Sequence, residues 1–371
     1  MNVSRAHLAR YFLRLGLIGF GGPPAHIAIM RADLVERRKW LTPQQFESDL
    51  ATANLLPGPT STEVAIYIGY RLGGVSGAIL SGACFIAPTL VIMLALAALY
   101  VHLGAVLPLH EVLYGVKPLV LGVVIVGTVS LGQPVLRSWR EWALFFTVLA
   151  ALALTSASVL LILVGSGLGL LILSGQLKGR GGAWAFAALP AAAAGGLDLA
   201  GQIFIKFLTI GVIAYGGGFA LVGFLEREIV SGTGWLTREQ LLDAIALSQS
   251  VPGPLFTVSA FIGYLVGGLP GALAGVLGIF APAFVIVLAE RKLTAVLRDE
   301  PVAQTFLRGV VVGVTAMLTL SVASLGNAAC VDVWTTLLAV ATLLTQLRWR
   351  VAPHWIVLIG FAIGLTRFAL A

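Results

Sequence analysis

Long apolar stretches separated by short polar loops run through most of the chain. About 20 apolar helical residues cross the hydrocarbon core of a bilayer, so stretches near this length predict membrane-crossing helices. In the first half the predicted crossings are residues 76–101, 112–131, 141–156 and 158–175. A short alanine-rich stretch at 183–197 predicts a connecting crossing, after which the same four crossings recur.

Four other apolar stretches are interrupted by glycine and proline. They are residues 8–30 and 43–72 and their later copies, 203–225 and 238–266. Proline removes a backbone donor and biases the residue before it away from the helix, and a simple bundle of uninterrupted crossings does not need such residues. We therefore predict that these stretches form broken or re-entrant helices.

Capping signals mark where two of the broken helices begin. Thr42 and Gln45 have the spacing of a capping box, and Thr237 and Gln240 repeat it. Each helix must then end before the Pro-Gly-Pro motif that follows it, because proline cannot continue the backbone hydrogen bonds. The sequence therefore predicts a short helix, a break and a new helix in each half.

The chain contains an internal duplication. The sequence Trp-Leu-Thr that begins at Trp40 recurs at Trp235, and the Pro-Gly-Pro motif that begins at Pro57 recurs at Pro252. Both pairs have the same offset, which changes by one residue further along the chain. We predict an N-terminal half at 1–177, a linker at 178–197 and a C-terminal half at 198–371.

Loop charges predict that the two halves face opposite ways. A parallel repeat would place basic loops at matching positions, whereas an inverted repeat alternates them. The loop at 31–39 is basic, while its counterpart at 226–239 has more acids than cations. Conversely, residues 103–111 lack Lys and Arg, while the second half has Arg291, Lys292, Arg298 and Arg308 in the corresponding region. The predicted fold is an all-α polytopic membrane protein with two homologous halves as an inverted-topology repeat.

Composition agrees with a membrane protein, since 58% of the residues are hydrophobic, 11% are charged and the mean hydropathy is +0.99. The net charge of +7 is spread over short loops, which positive-inside topology explains better than nucleic-acid binding. Cys84 and Cys330 supply neither a disulfide framework nor a thiolate cluster. The lipid bilayer is therefore the expected partner, and we expect no metal, no cofactor and no nucleic acid.

The most informative motif is Pro-Gly-Pro at 57–59 with the hydroxyl residues that follow it. A helix that begins after the second proline presents free N–H groups and the positive end of its dipole, which together form an anion site. The same reasoning applies to the other glycine and proline breaks. The candidate substrate-binding residues are Gly21, Gly22, Pro23, Asn54, Pro57, Gly58, Pro59, Thr60, Ser61, Gly216, Gly217, Gly218, Pro252, Gly253 and Pro254. The alternative is a set of proline kinks that serve packing.

Charged residues inside the predicted membrane segments are costly, so each requires a reason. Arg14, Glu63, Arg71 and Lys117 align with uncharged residues of the second half. In the functional interpretation, Arg71 or Lys117 attracts an anion and Glu63 takes part in proton coupling. In the structural interpretation, Arg71 caps a helix and Glu63 pairs with a neighbouring cation.

Several of these motifs resemble the chromate ion transporter family. The resemblance rests on GFGGP at 19–23, LLPGPTS at 55–61, YIGYRLGG at 67–74 and FIAP at 85–88, and on YGGG at 215–218, VPGPLFT at 251–257, FIGYLVGG at 261–268 and IFAP at 279–282. It covers nearly the whole chain. It implies a two-domain, multi-pass protein of the bacterial or archaeal inner membrane that expels chromate at the expense of the proton-motive force, with sulfate as a related oxyanion.

We therefore expect a secondary oxyanion transporter that works by alternating access and is driven by the membrane potential or the proton-motive force. An anion channel, or a transporter of another oxyanion such as sulfate, is the alternative. An enzyme is not expected, because the sequence lacks HExxH, GxSxG and a nucleotide-binding loop, and no catalytic residue is assigned. The oligomeric state stays open, with a homodimer among the alternatives.

Overall fold

The computed structural model describes residues 3–104, 109–155, 157–176, 197–215, 217–349 and 351–370. These residues form helices and connecting loops, with no strand among them. The helices are α1 (Arg5–Ile18), α2 (Gly22–Met30), α3 (Pro43–Leu55), α4 (Thr60–Gly104), α5 (Leu109–Val112), α6 (Val116–Gly132), α7 (Trp139–Leu154), α8 (Val159–Ser174), α9 (Leu199–Ile213), α10 (Ala220–Leu225), α11 (Arg238–Ser250), α12 (Val258–Asp299), α13 (Pro301–Ala329), α14 (Val333–Trp349) and α15 (Pro353–Leu370). The π-helical segments Arg31–Arg37 and Glu226–Gly232 continue α2 and α10.

Four helical segments in the described part are long and apolar enough to cross a membrane. They are Thr60–Gly104, Leu255–Leu288, Pro301–Ala329 and Pro353–Leu370. The shorter helices α6, α7 and α8 correspond to the crossings predicted at 112–131, 141–156 and 158–175. The helical, multi-pass membrane fold is thus confirmed. The predicted linker and its connecting crossing lie outside the described residues, apart from their last position, residue 197.

Helix α4 reverses direction at Gly73 and Gly74, where Gly74 has the left-handed φ of 63° that favours glycine. The reversal separates a short arm, residues 60–72, from a long arm, residues 75–104. A Cβ placed on Gly77 of the long arm would lie 2.2 Å from the carbonyl oxygen of Gly69 on the short arm. The two arms therefore pack backbone against backbone. Helix α12 reverses in the same way at Gly267 and Gly268.

Helix α3 and the short arm of α4 form a re-entrant hairpin with the Pro-Gly-Pro motif at its tip. The predicted capping box starts α3 at Thr42, and the helix ends at Leu55. On the short arm, Arg71 donates from Nε to Oδ2 of Asp49 at 2.9 Å and also binds the other carboxylate oxygen. In a collinear arrangement these two residues would lie about 30 Å apart. The chain therefore enters, turns at residues 57–59 and returns to the same side.

Helices α1 and α2 form a second re-entrant hairpin, whose tip is residues 19–21. Helix α1 lies along the long arm of α4, because a Cβ on Gly16 would lie 2.5 Å from the carbonyl oxygen of Phe85. The tip of this hairpin is therefore level with the middle of the long arm. After α2 the chain returns, and the ring of Trp40 lies 5.8 Å from that of Tyr11 on α1. The prediction of broken, re-entrant helices is confirmed.

The hairpins of the second half enter from the opposite side. The long arm of α4 begins beside the open ends of the first-half hairpins. About 37 Å further along the helix, Tyr100 donates to Oδ2 of Asp243 at 2.8 Å. Asp243 lies in the second turn of α11, close to the open end of a second-half hairpin. The open ends of the two halves are thus separated by the length of a spanning helix, and the predicted inverted orientation is confirmed.

We predict that equivalent loop positions of the two halves lie on opposite faces of the membrane. Glu36 and Ser231 are equivalent, and both are exposed. In protein whose Cys84 and Cys330 have been replaced by alanine, a membrane-impermeant thiol reagent should label Glu36→Cys from one side and Ser231→Cys from the other. Labelling of both variants from the same side would contradict the inverted fold.

Candidate functional site

The hairpin tips of the two halves meet through a reciprocal pair of backbone hydrogen bonds. The N–H of Gly58 donates to the carbonyl oxygen of Ala214 at 2.9 Å. The N–H of Gly253 donates to the carbonyl oxygen of Gly19 at 2.8 Å. These four residues form two equivalent pairs of the internal repeat. Each Pro-Gly-Pro motif therefore docks on the break between the first two helices of the other half, near the middle of the membrane.

Glycine is required at this contact. Gly253 has a φ of 93°, and a Cβ there would lie 1.9 Å from Oγ1 of Thr89 on the long arm of α4. That hydroxyl donates to the carbonyl oxygen of Pro252 at 2.9 Å. Two first-half residues therefore bind the tip of the second half: Gly19 accepts from Gly253, and Thr89 donates to Pro252.

Among the described residues, hydrogen-bond donors without a partner lie at the start of α4. The N–H groups of Thr62 and Glu63 both bond to the carbonyl oxygen of Pro59, at 2.7 and 3.0 Å. Those of Thr60 and Ser61 precede the first bonds within the helix and point away from it. The Thr62 hydroxyl is fully buried and has no hydrogen-bond partner among the described residues. This helix start therefore combines the positive end of a dipole with unsatisfied donors.

Two other predicted glycine motifs contact the residue that follows the second Pro-Gly-Pro motif. A Cβ on Gly22 would lie 3.8 Å from Cδ1 of Leu255, and one on Gly218 would lie 3.6 Å from Cβ of Leu255. Leu255 follows the second Pro-Gly-Pro motif, so the structure brings three of the predicted motifs together. Pro23 has no N–H to offer at the start of α2. Gly216 lies outside the described residues.

The helices that lead into the two Pro-Gly-Pro tips each carry an amide residue next to their last position, Asn54 on α3 and Gln249 on α11. The side chain of Asn54 is exposed, and its backbone carbonyl lies 3.4 Å from the Tyr215 hydroxyl, which donates to it. Its counterpart Gln249 is 6% exposed. Neither polar atom of the Gln249 amide has a hydrogen-bond partner in the described part of the chain. A buried amide without partners is unusual, which makes Gln249 a polar group available to a ligand.

Glu63 lies at the tip of the first half. It is fully buried, and neither carboxyl oxygen forms a hydrogen bond with another described residue. A Cβ on Gly58 would lie 2.5 Å from its Oε1, so the carboxyl group is packed against the Pro-Gly-Pro turn. The structure therefore does not give Glu63 the neighbouring cation that the structural interpretation expected, within the residues described.

The two predicted cations lie in ion pairs. Arg71 binds both carboxylate oxygens of Asp49, and the nearly buried Lys117 lies 3.8 Å from Asp243 and 3.9 Å from Glu239. Lys117 thus links α6 of the first half to α11 of the second. Their attraction of an anion stays a prediction, and the geometry gives each a structural role.

His26 is a central residue that the sequence reasoning missed, because the five histidines show no ligand spacing. It is fully buried on α2. Its Nε2 lies 2.8 Å from the carbonyl oxygen of Gly19, and its Nδ1 lies 3.2 Å from Oγ of Ser61. Its ring also packs edge-on against Phe85, with centroids 5.2 Å apart. His26 therefore joins the two hairpin tips of the first half.

Re-entrant hairpins that approach from both faces and place helix ends at the midplane are the architecture of membrane transporters built on inverted repeats. Comparison with known sequences agrees with this class. The sequence pattern of the chromate transporter family matches residues 6–171 and 201–365, one match in each half. The chain belongs to the chromate transporter family.

Three relatives illustrate the similarity. The chain is 32% identical to a chromate transport protein of Cupriavidus metallidurans, over 98% of this chain and 93% of that protein. It is 31% identical to a probable chromate transport protein of Synechococcus elongatus, over 92% and 90%, and 31% identical to a chromate transport protein of Pseudomonas aeruginosa, over 85% and 80%. No solved structure matches the chain.

We predict that replacing Lys117 by methionine destabilises the protein, because Asp243 is then left buried without its cation. Removing one partner of a buried ion pair costs about 3 kcal/mol. The double variant Lys117→Met/Asp243→Asn should recover most of this loss, since the asparagine still accepts from Tyr100. Thermal unfolding of the purified protein in detergent measures both. A Lys117→Met variant as stable as the unchanged protein would contradict the structural role.

Proposed function

We propose that this protein is a secondary transporter of the inner membrane that exports an oxyanion, with chromate as the first candidate and sulfate as its analogue. The observation that carries the proposal is the start of α4, where the N–H groups of Thr60 and Ser61 and the buried hydroxyl of Thr62 lie at the meeting point of hairpins from both faces. The names of the three relatives point to the same substrate.

The chemistry of this helix start suits a tetrahedral dianion. Chromate and sulfate present oxygens that accept hydrogen bonds from N–H and O–H groups, and a helix N-terminus binds such anions without a charged side chain. Arg71 and Lys117 are neutralised by carboxylates. The anion is therefore held by dipoles and hydroxyl groups, which release it more readily than a buried salt bridge would.

The membrane potential supplies a driving force for export. Each charge moved across the membrane is worth about 2.3 kcal/mol per 100 mV, so an inside-negative potential favours outward movement of a dianion. Alternating access would follow if the hairpins of the two halves exchanged roles across the midplane. A channel that uses the same helix start is the alternative. Saturable uptake with counter-transport in proteoliposomes supports the transporter, and linear, unsaturated flux supports the channel.

We predict that Thr60→Asp strongly reduces transport without harming the fold. An acidic residue in the first turn stabilises a helix, so a purely structural break tolerates it. A carboxylate about 5 Å from a dianion costs several kcal/mol even at an effective dielectric constant of about 20, so uptake should fall at least about tenfold.

The measurement is uptake of chromate, sulfate, molybdate and phosphate into inverted membrane vesicles, with Thr60→Asn as the neutral control of equal size. Thr60→Asn should retain most of the uptake. If Thr60→Asp and Thr60→Asn transport equally well, the anion does not bind at the start of α4.

We also predict that Glu63→Gln weakens the response of transport to a pH gradient. A buried carboxyl without a partner is a group that can take up and release a proton as an anion arrives and leaves. Uptake is compared in the same vesicles with and without an imposed gradient, at equal protein level. A response identical to that of the unchanged protein would remove Glu63 from proton coupling.

A further inference from the structure

His26 joins the two hairpin tips of the first half at the point where a tip of the second half docks. Its Nε2 lies 2.8 Å from the Gly19 carbonyl oxygen, which also accepts the N–H of Gly253 from the second half. Its Nδ1 lies 3.2 Å from Oγ of Ser61, the second residue of α4. A Cβ on Gly19 would lie 2.9 Å from the ring carbon Cδ2, so the ring fits closely against the tip. The imidazole is therefore fixed on both of its nitrogen atoms.

The hydrogen bonds determine the form of the neutral ring. A carbonyl oxygen is an acceptor, so the hydrogen of a neutral imidazole must be on Nε2. The unprotonated Nδ1 is then an acceptor, and the Ser61 hydroxyl donates to it. In this state the hydroxyl hydrogen of Ser61 points at the ring and is not available to an anion at the start of α4.

Protonation reverses the second of these hydrogen bonds. An imidazolium ring is a donor at both nitrogen atoms, so Nδ1 donates to Oγ of Ser61. The Ser61 hydroxyl then turns its hydrogen away from the ring. The same event places a positive charge one side chain away from the helix start. Both changes strengthen the binding of an anion there.

We propose that His26 is a positioning residue that couples the uptake of a proton to the binding of the oxyanion at the start of α4, through the hydroxyl of Ser61. The inference rests on the proposed function, since it concerns the affinity of that same site. Linkage is reciprocal, so the anion raises the affinity of the ring for a proton by the same factor as the proton raises the affinity for the anion.

Ion pairs lie on the helices that contact His26, and we assign the uptake of a proton to the imidazole ring and to Glu63. On α4, Glu63 follows Ser61 by two residues, and Arg71 at the far end of the short arm is paired with Asp49. From the second half, Tyr215 lies near Glu63. On the π-helical continuation of α2, Asp33 is paired with Arg37 at 3.0 Å. Glu63 is therefore the group whose titration has to be separated from that of His26.

The second half has no such group at the equivalent position. Leu221 stands where the first half has His26, and it is buried. Val258 aligns with Glu63. We therefore assign proton-linked binding to the first half alone. His26 is expected to account for the proton uptake that does not come from Glu63.

The experiment measures proton uptake when an oxyanion binds to the purified full-length protein in lipid nanodiscs. Isothermal titration calorimetry in buffers of different ionisation enthalpy gives the number of protons bound per anion, between about pH 5.5 and 8.5, where imidazole ordinarily titrates. Sulfate and selenate are the probes, because both remain dianions throughout this range and add no proton of their own. The variants are His26→Gln, Ser61→Ala, Glu63→Gln and the exposed control His7→Gln. His26→Gln and Ser61→Ala are each also combined with Glu63→Gln.

We expect the unchanged protein and His7→Gln to take up protons when the anion binds. Their affinity for the anion should therefore rise as the pH falls, by up to about tenfold per pH unit for each coupled proton. Glu63→Gln should keep the contribution of His26, a maximum of about one proton per anion. His26→Gln should lose that contribution, and His26→Gln/Glu63→Gln should take up none. Ser61→Ala keeps the ring and its bond to Gly19, so it should bind the anion with a reduced proton uptake.

Two failures are distinguishable. If neither sulfate nor selenate binds to the unchanged protein, the proposed oxyanion site fails, and the role of His26 fails with it. If the anions bind but Glu63→Gln takes up no proton at any pH in the range, the site stands and the role of His26 is overturned. The second result does not depend on whether His26→Gln folds. Proton uptake by Ser61→Ala/Glu63→Gln equal to that of Glu63→Gln would also overturn the coupling through Ser61.

Discussion

The structure depends on how the peptide groups at the helix breaks are satisfied inside the membrane. A break at the midplane frees N–H and C=O groups where no lipid group can bond to them, and each unsatisfied group costs several kcal/mol. The bonds from Gly58 to Ala214 and from Gly253 to Gly19 satisfy such groups in both halves at once. Each half therefore supplies the carbonyl oxygen to which the tip of the other half donates. This mutual bonding explains why the re-entrant hairpins occur as an inverted pair.

Much of this fold could be predicted because its signals are local. A capping box at Thr42 and a proline at position 57 define where α3 begins and ends, and the repeat of both signals confirms them independently. The partners of the charged residues could not be predicted. Lys117 lies near Asp243, more than a hundred residues away, and Arg71 binds Asp49 only because the chain reverses between them. Such pairs depend on the path of the chain, which no local pattern specifies.

His26 shows a different limit of the sequence reasoning. Spacing within one segment reveals ligands that share a helix face, but the contacts of His26 lie on the preceding break and on α4. A signal was nevertheless present in the duplication, since the equivalent position holds Leu221. A buried polar residue opposite an apolar one in a repeat marks a place where the two halves differ in chemistry. Glu63 opposite Val258 gives the same signal.

The symmetry of the backbone and the asymmetry of the side chains have separate consequences for the proposed transport. The reciprocal bonds are alike in the two halves, so an exchange of their conformations conserves the contacts at the centre. His26, Ser61 and Glu63 of the first half align with Leu221, Phe256 and Val258 of the second half. In the proposed transport, the groups that bind the coupled proton would therefore come from the first half in both conformations, while the second half contributes the amide of Gln249, which is unpartnered within the described residues.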